Sequence, residues 1–301
     1  VSYDNPYDVY ATTSDLGLSG TGECEEQTYF SENLCVIDDT NIGTDDTHSN
    51  VAEGAGVFNL ATGTVNYAQN IYEKLSPASL TKVLTAVVAL KNASEDTLLT
   101  ATSNVKITES GAQVCGLKEG DQLTLSQALH LLLINSANDA AVLIAEGVGG
   151  TVENFCEMMN QEALALGATN SHFVNPHGLT DDNHYTTAYD MYLIMNEAIK
   201  FEVFREIIHM DSYTTVYQDK NGAQKEITVN NTNYYLNGKA DPPSGITVLG
   251  GKTGTTDAAG HCLILLSRDT QNKPYISIIM RADARENLYT SMTDLLSQIG
   301  N

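Results

Sequence analysis

Basic residues are scarce in this chain. Against 38 Asp and Glu stand only 15 Lys and Arg, the formal net charge is −23, and no Lys or Arg precedes Lys74. Nucleic-acid binding needs clustered cations to neutralise phosphates, so that class of partner is excluded. The acidic surface is read as a solubility feature. Long apolar runs are missing too: the longest, near residues 83–90 and 128–134, fall short of the roughly 18 residues that a membrane span needs. Metal-ligand spacing is also lacking. His172, His177 and His184 share a loop-like stretch, but no H-E-x-x-H or comparable pair accompanies them, so they are read as structural or solvated and no metal or cofactor is expected. The chain opens at Val1 with neither a Met nor a basic-then-apolar leader, which suggests a processed or shortened chain and is no argument for the cytoplasm.

Five cysteines, Cys24, Cys35, Cys115, Cys156 and Cys262, leave at least one unpaired. Cys24 and Cys35 are near enough in sequence to staple a loop-rich segment, which would imply an oxidising compartment; five free thiols is the other reading, and both stay open. Residues 1–50 are rich in Asp, Glu, Ser, Thr, Gly and Asn without a sustained period, so an acidic irregular extension is expected there and the folded domain over 51–301.

Within that domain, Gly56-Val57-Phe58-Asn59-Leu60, Ala61-Thr62-Gly63 and Val65-Asn66-Tyr67 read as a hairpin. Helices follow. Thr124 with Gln127 makes a capping-box start for Leu125 to Ile134, Asp139 is placed to cap Ala140 to Glu146, Thr151 opens a helix that stops near Gly167, and Thr187 opens one through Lys200. Strands are expected at Ser212 to Gln218 and Glu226 to Thr232, around the turn Lys220-Asn221-Gly222, then at Ile246 to Thr255, His261 to Ser267 and Tyr275 to Met280. A helix from Ala284 to Ile299 closes the chain. Strands at both ends with helices between predict an α+β fold, one sheet completed by N- and C-terminal segments with a helical lobe inserted.

Three short strings carry chemistry: Ser79-Leu80-Thr81-Lys82, Ser136-Ala137-Asn138 and Lys252-Thr253-Gly254. A serine becomes a nucleophile only when a base takes its proton. Ser76 is a good N-cap, Pro77 suits the first helical position, and Leu80, Val83, Leu84, Val87 and Val88 recur at helical spacing, so Ser79 and Lys82 sit one turn apart within reach. Two copies compete. Ser103-Asn104-Val105-Lys106 reads as extended chain, which points its two ends to opposite faces. Ser31-Glu32-Asn33 precedes the nucleophile in irregular acidic sequence. The selected strings fall on a helix start, an inter-helix turn and a strand.

With these motifs go Pro77-Ala78-Ser79-Leu80-Thr81-Lys82, Ser136-Ala137-Asn138-Asp139-Ala140-Ala141, Phe173-Val174-Asn175-Pro176-His177-Gly178-Leu179, His184-Tyr185-Thr186-Thr187-Ala188 with Asp190-Met191, and Gly251-Lys252-Thr253-Gly254. Over roughly residues 50–300 the chain resembles the low-molecular-weight penicillin-binding proteins that act as serine-type D-alanyl-D-alanine carboxypeptidases. The resemblance implies a β-lactamase/transpeptidase-like fold, an antiparallel sheet flanked by helices. It implies Ser79 as nucleophile, Lys82 as general base with Lys252 helping to depress its pKa, Ser136 as proton relay and Asn138 as a holder of Lys82 and the substrate amide. Lys252, Thr253 and Gly254 would form the substrate-binding strand, with the backbone N–H groups of Ser79 and Thr255 as oxyanion donors. The implied partners are a peptidoglycan stem peptide ending in D-Ala-D-Ala and β-lactams as covalent inhibitors, in an extracytoplasmic location.

Three departures from the family stand out. The acidic start with Cys24 and Cys35 has no recognised counterpart, and Thr232 stands where some members carry a carboxylate-binding Arg. Many relatives carry a second all-β domain and an amphipathic anchor, yet this chain stops at Asn301; either an anchorless protein or a shortened chain is expected, with membrane anchoring not encoded in this stretch. The nearest rival is a class A-like serine β-lactamase, which needs a water-activating Glu after the S-x-N motif. No Glu occurs from Ala163 through Asn196, and Glu157 and Glu162 belong to a helical pattern. A penicillin-recognising sensor that releases no product is the other alternative; release of D-alanine separates the two.

Overall fold

Gly54–Asn59 (β1) and Thr64–Gln69 (β2) pair antiparallel, giving the expected hairpin. The structure, a computed structural model, describes residues 34–43 and 52–299. The hairpin leads to helix α1 (Thr81–Asn92), in which every residue from Thr81 to Ala89 is buried. The middle of the chain holds β3 (Leu98–Thr100), β4 (Gln122–Thr124), α2 (Leu125–Ile134), α3 (Asn138–Gly149), α4 (Val152–Ala165), α5 (Ala188–Ala198) and α6 (Glu202–His209). Then come β5 (Ser212–Gln218), β6 (Gln224–Asn230), β7 (Thr247–Thr256), β8 (Gly260–Arg268), β9 (Pro274–Ala282) and α7 (Arg285–Ser297).

N- and C-terminal strands form one five-stranded antiparallel sheet in the order β2-β1-β9-β8-β7. Instead of a single sheet, however, there are two: β3-β4-β5-β6 make a second, four-stranded one. Strands β3 and β4 have three residues each, too few for a period-2 pattern to emerge from sequence. The main sheet is buried on both faces. Ile264, Leu266, Ile276 and Ile278 belong to the core shared with α1 to α6, while Leu263, Leu265 and Ile279 pack with Leu288, Met292 and Leu296 of α7. Alternate residues of one strand thus serve opposite layers, and each fully buried aliphatic side chain contributes about 1.5–3 kcal/mol.

Helix starts follow their capping chemistry where a side chain can reach back. Thr124 and Gln127 complete a reciprocal capping box on α2, and Thr151 and Thr187 cap α4 and α5. Asp139 does not cap α3. Its carboxylate, in the first turn, instead accepts from the backbone N–H groups of Cys115, Gly116 and Leu117, tying down the loop that precedes β4. Ser103–Val105 is a 3-10 turn capped by Thr102, not extended chain. Helix α6, only eight residues long, had no sequence expectation; it anchors through Phe204, Ile207 and Ile208.

The irregular stretch assigned to residues 1–50 contributes residues 34–43 to the packed structure. Cys35 is buried, its N–H donating to Tyr192 Oη at 2.8 Å and its carbonyl accepting from Tyr189 Oη at 2.8 Å, while Ile42 bridges to Ala68 on β2. The Cys35 Sγ contacts the Asn59 carbonyl at 3.5 Å; Cys24, and with it the expected staple, lies outside the described residues, as does Ser31. Among the described residues, no helix is long and apolar enough to cross a membrane.

Candidate active site

The turn that carries Ser79 is built differently from a capped helix start. Pro77, not Ser76, is the N-cap residue, Ala78–Leu80 forms a 3-10 turn, and α1 begins at Thr81. Ser76 Oγ is buried without a hydrogen-bond partner among the described residues. Ala78 sits in the left-handed region at φ 47°, a conformation that costs a non-glycine residue about 1 kcal/mol or more. Surrounding contacts enforce it: a Cβ at Gly178 would come within 1.8 Å of the Ala78 carbonyl oxygen, so only glycine lets the loop after α4 lie against this turn.

Lys82 is fully buried, and its Nζ lies 2.8 Å from Ser79 Oγ, 2.7 Å from Asn138 Oδ1 and 2.6 Å from the His177 carbonyl oxygen. Two of these neighbours can only accept. A neutral amine has two N–H bonds, and both are taken by Asn138 and His177; its lone pair is left facing the Ser79 hydroxyl. Burial pushes the Lys82 pKa well below the usual lysine range, and the nearby Lys252 charge pushes it further, against the weaker pull of Asp139. Geometry and charge therefore both favour a base aimed at Ser79.

Ser136 and Asn138 arrive on the turn between α2 and α3, with Ser136 held at φ 62°. Lys252, on β7, is 1% exposed and donates to Ser136 Oγ at 2.9 Å and to the Thr253 carbonyl at 2.8 Å. Burial lowers its pKa to about 7, so near neutrality it exists in both protonation states. Thr253 Oγ1 shares a 2.6 Å hydrogen bond with Thr232 Oγ1. Gly254 brings β7 against the nucleophile turn: a Cβ there would meet the Pro77 carbonyl oxygen at 3.0 Å and Ser79 N at 3.1 Å. Thr255 follows, exposed on the same strand.

All eight residues singled out from sequence thus converge. Six of them, all but the buried Lys82 and Lys252, line a cleft of about 610 Å³ together with Gly178 and Thr232. These six are Ser79, Ser136, Asn138, Thr253, Gly254 and Thr255, with Lys82 and Lys252 bonded to them from behind. Sequence reasoning missed Gln113, His177, Tyr289 and Arg285 in this wall. Arg285 carries the cleft's exposed positive charge, at the start of α7, with its guanidinium 5.8 Å from the Tyr234 ring. No local motif marks it, because its place depends on α7 folding back over the sheet.

The three loop histidines are held by protein hydrogen bonds. His172 Nδ1 contacts the Asn183 carbonyl, His177 Nδ1 accepts from Leu179 N–H, and His184 bridges Thr81 and Val174.

Similarity to known proteins agrees with this geometry. The sequence profile of the D-alanyl-D-alanine carboxypeptidase family matches residues 43–284. The chain belongs to this family. It is 32% identical over 251 residues to the D-alanyl-D-alanine carboxypeptidase DacF of Bacillus subtilis, covering 81% of this chain and 61% of that relative. With DacA of Escherichia coli the identity is 32% over 238 residues, covering 76% of this chain and 56% of the relative. This carboxypeptidase-family chain therefore spans about three fifths of the length of such curated relatives. Among solved structures it superposes on a DD-transpeptidase from Streptomyces with a TM-score of 0.76 at 27% identity, covering 87% of this chain and 98% of the other. The D-alanyl-D-alanine carboxypeptidase DacD of Francisella tularensis gives a TM-score of 0.71 at 25% identity, covering 87% and 72%. The α+β, transpeptidase-like fold expected from sequence is the observed one.

Proposed function

We propose that this chain is a serine D-Ala-D-Ala carboxypeptidase that removes the terminal D-alanine of peptidoglycan stem peptides and is acylated by β-lactams. The observation that carries the reading is the Lys82 amine, with both N–H bonds consumed by Asn138 and His177 and its lone pair on Ser79.

In the proposed cycle Lys82 takes the Ser79 proton as Oγ attacks the carbonyl of the penultimate D-alanine. Oxyanion charge falls to the N–H groups of Ser79 and Thr255, on the two segments that Gly254 lets approach. Ser136 gives its proton to the departing amine and takes a replacement from the Lys252 ammonium bonded to it, and the C–N bond breaks to give an acyl-enzyme and free D-alanine. Water then attacks the ester and gives a proton through Ser136 to Lys252, while Lys82 returns its proton to Ser79 Oγ as the acyl C–O bond breaks. The terminal carboxylate is met by Thr253 and Thr255 hydroxyls and by the Lys252 and Arg285 charges. Arg285 supplies a guanidinium that Thr232 does not. Because the substrate is a cell-wall peptide, the site of action is extracytoplasmic.

Two assays test the reading together: intact mass after penicillin treatment, and D-alanine release from a peptide ending in D-Ala-D-Ala. A stoichiometric, long-lived penicillin adduct with D-alanine release is expected. An adduct without release would favour a sensor, and rapid penicillin turnover would favour a β-lactamase. Against the latter stands the lack of any Glu from Ala163 through Asn196.

A further inference from the structure

We propose that His184 is a positioning residue for the nucleophile: as the neutral Nε2–H tautomer it holds the Ala78–Ser79 peptide plane through Thr81, and so aims the Ser79 N–H. His184 is 2% exposed, belongs to none of the three motifs and does not line the cleft. Its two ring nitrogens nonetheless have unequal partners. Val174 N–H points at Nδ1 from 3.1 Å, and a backbone N–H can only donate, so Nδ1 is the acceptor and the ring proton sits on Nε2. Nε2–H then donates to Thr81 Oγ1 at 2.8 Å. With its oxygen accepting from the ring, the Thr81 hydroxyl turns its own proton to the Ala78 carbonyl oxygen, also at 2.8 Å. Donor direction is thereby fixed along the whole chain, from Val174 to His184 to Thr81 to Ala78.

The end of that chain matters because the Ala78 C=O and the Ser79 N–H belong to one planar peptide unit. Fixing where the oxygen points fixes where the N–H points, on the opposite side. That side faces β7, since Ser79 N lies 3.1 Å from where a Gly254 Cβ would stand. Ala78 is in the left-handed region, so the plane needs an external hold, and Gly178 packs against the same carbonyl. Burial lowers the His184 pKa to about 4, opposed by Asp181 and reinforced by His172 and Lys82, which keeps the ring neutral at ordinary pH.

The kinetic consequence rests on the acyl-enzyme reading above, whereas the tautomer does not. Long-range ¹H–¹⁵N spectra of the intact chain at pH 7 should show a protonated Nε2 and a pyridine-like Nδ1 for His184; a proton on Nδ1 overturns the proposal. Acylation by a fluorescent penicillin supplies the second arm. Removing one oxyanion donor costs on the order of 10²-fold in rate, and a misaimed one is expected to cost about 10-fold or more. Thr81→Val, nearly isosteric, should lose that much acylation rate while reversible affinity changes less than about 3-fold. His184→Gln keeps an N–H toward Thr81 and should recover more rate than His184→Asn, which reaches only the Nδ1 position. Equal rates in Gln and Asn variants of equal thermal stability, or a loss confined to reversible affinity, overturn the proposal. Wild-type protein that takes no penicillin label overturns the acyl-enzyme reading, while the spectrum still decides the His184 arrangement.

Discussion

Ser79 and Lys82 owe their pairing to a single turn of chain, and the proposed chemistry hangs on one oxygen and one lone pair. Ser79→Ala is expected to abolish covalent penicillin labelling while shifting the unfolding midpoint by no more than about 2 °C, since it removes one half-buried atom; a persistent adduct by intact mass would refute the assignment. Lys82→Met keeps the volume but removes the base. Its acylation rate should fall by about 10²-fold or more, with reversible penicillin affinity nearly unchanged, as measured by rapid-mixing kinetics against equilibrium binding. The motif residues themselves were legible because each carries its own local context: Ser79 and Lys82 by helical spacing, Lys252 by its strand. Arg285 and His184 were not. Both act through neighbours more than 50 residues away in sequence, Tyr234 and Thr81, a proximity that no local pattern encodes.

At the scale of elements, two interactions hold the walls of the cleft in place. Asp139 fastens the loop at Cys115 to Leu117 with three backbone donors, and Asp139→Ala should cost about 2–4 kcal/mol in urea unfolding because it strands those N–H groups. A much smaller loss would mean the loop is held by something else. Gly178→Ala should be worse for function than for helix content, since its Cβ collides with the Ala78 carbonyl oxygen and displaces the nucleophile turn. Element types were mostly legible, and the reasons for the exceptions are physical. Thr124, Thr151 and Thr187 announced their helices because their caps are strictly local. Ser76 and Asp139 looked equally good as caps, but tertiary partners decided otherwise: a Pro-led 3-10 turn in one case, a distant loop in the other.

For the whole molecule, buried histidines make acid the natural denaturant. In the unfolded chain a histidine protonates near pH 6.5; folded, burial holds His184 at about 4 and, with the Lys82 charge, His177 at about 3. Between those limits the unfolded state binds more protons, so stability is complete above about pH 6.5 and declines as pH falls toward 4. His184 alone accounts for on the order of 3 kcal/mol of that decline, and thermal melts of His184→Gln should show a shallower acid limb than wild type. If the two limbs coincide, the ring is not the group being titrated. The layered architecture follows from strand and helix order, whereas the division into two sheets escaped notice because β3 and β4 are so short. One feature of that architecture reaches beyond catalysis. Strand β7 ends the five-stranded sheet, beside the cleft, with no further strand on its outer side among the described residues. An edge strand invites accidental association between molecules, yet here its outer row of amides lies beside Ser79. Cargo lying along it would act as a temporary sixth strand, so an acylated molecule should exchange its β7 amide hydrogens more slowly with solvent and be less prone to clump than the same molecule at rest.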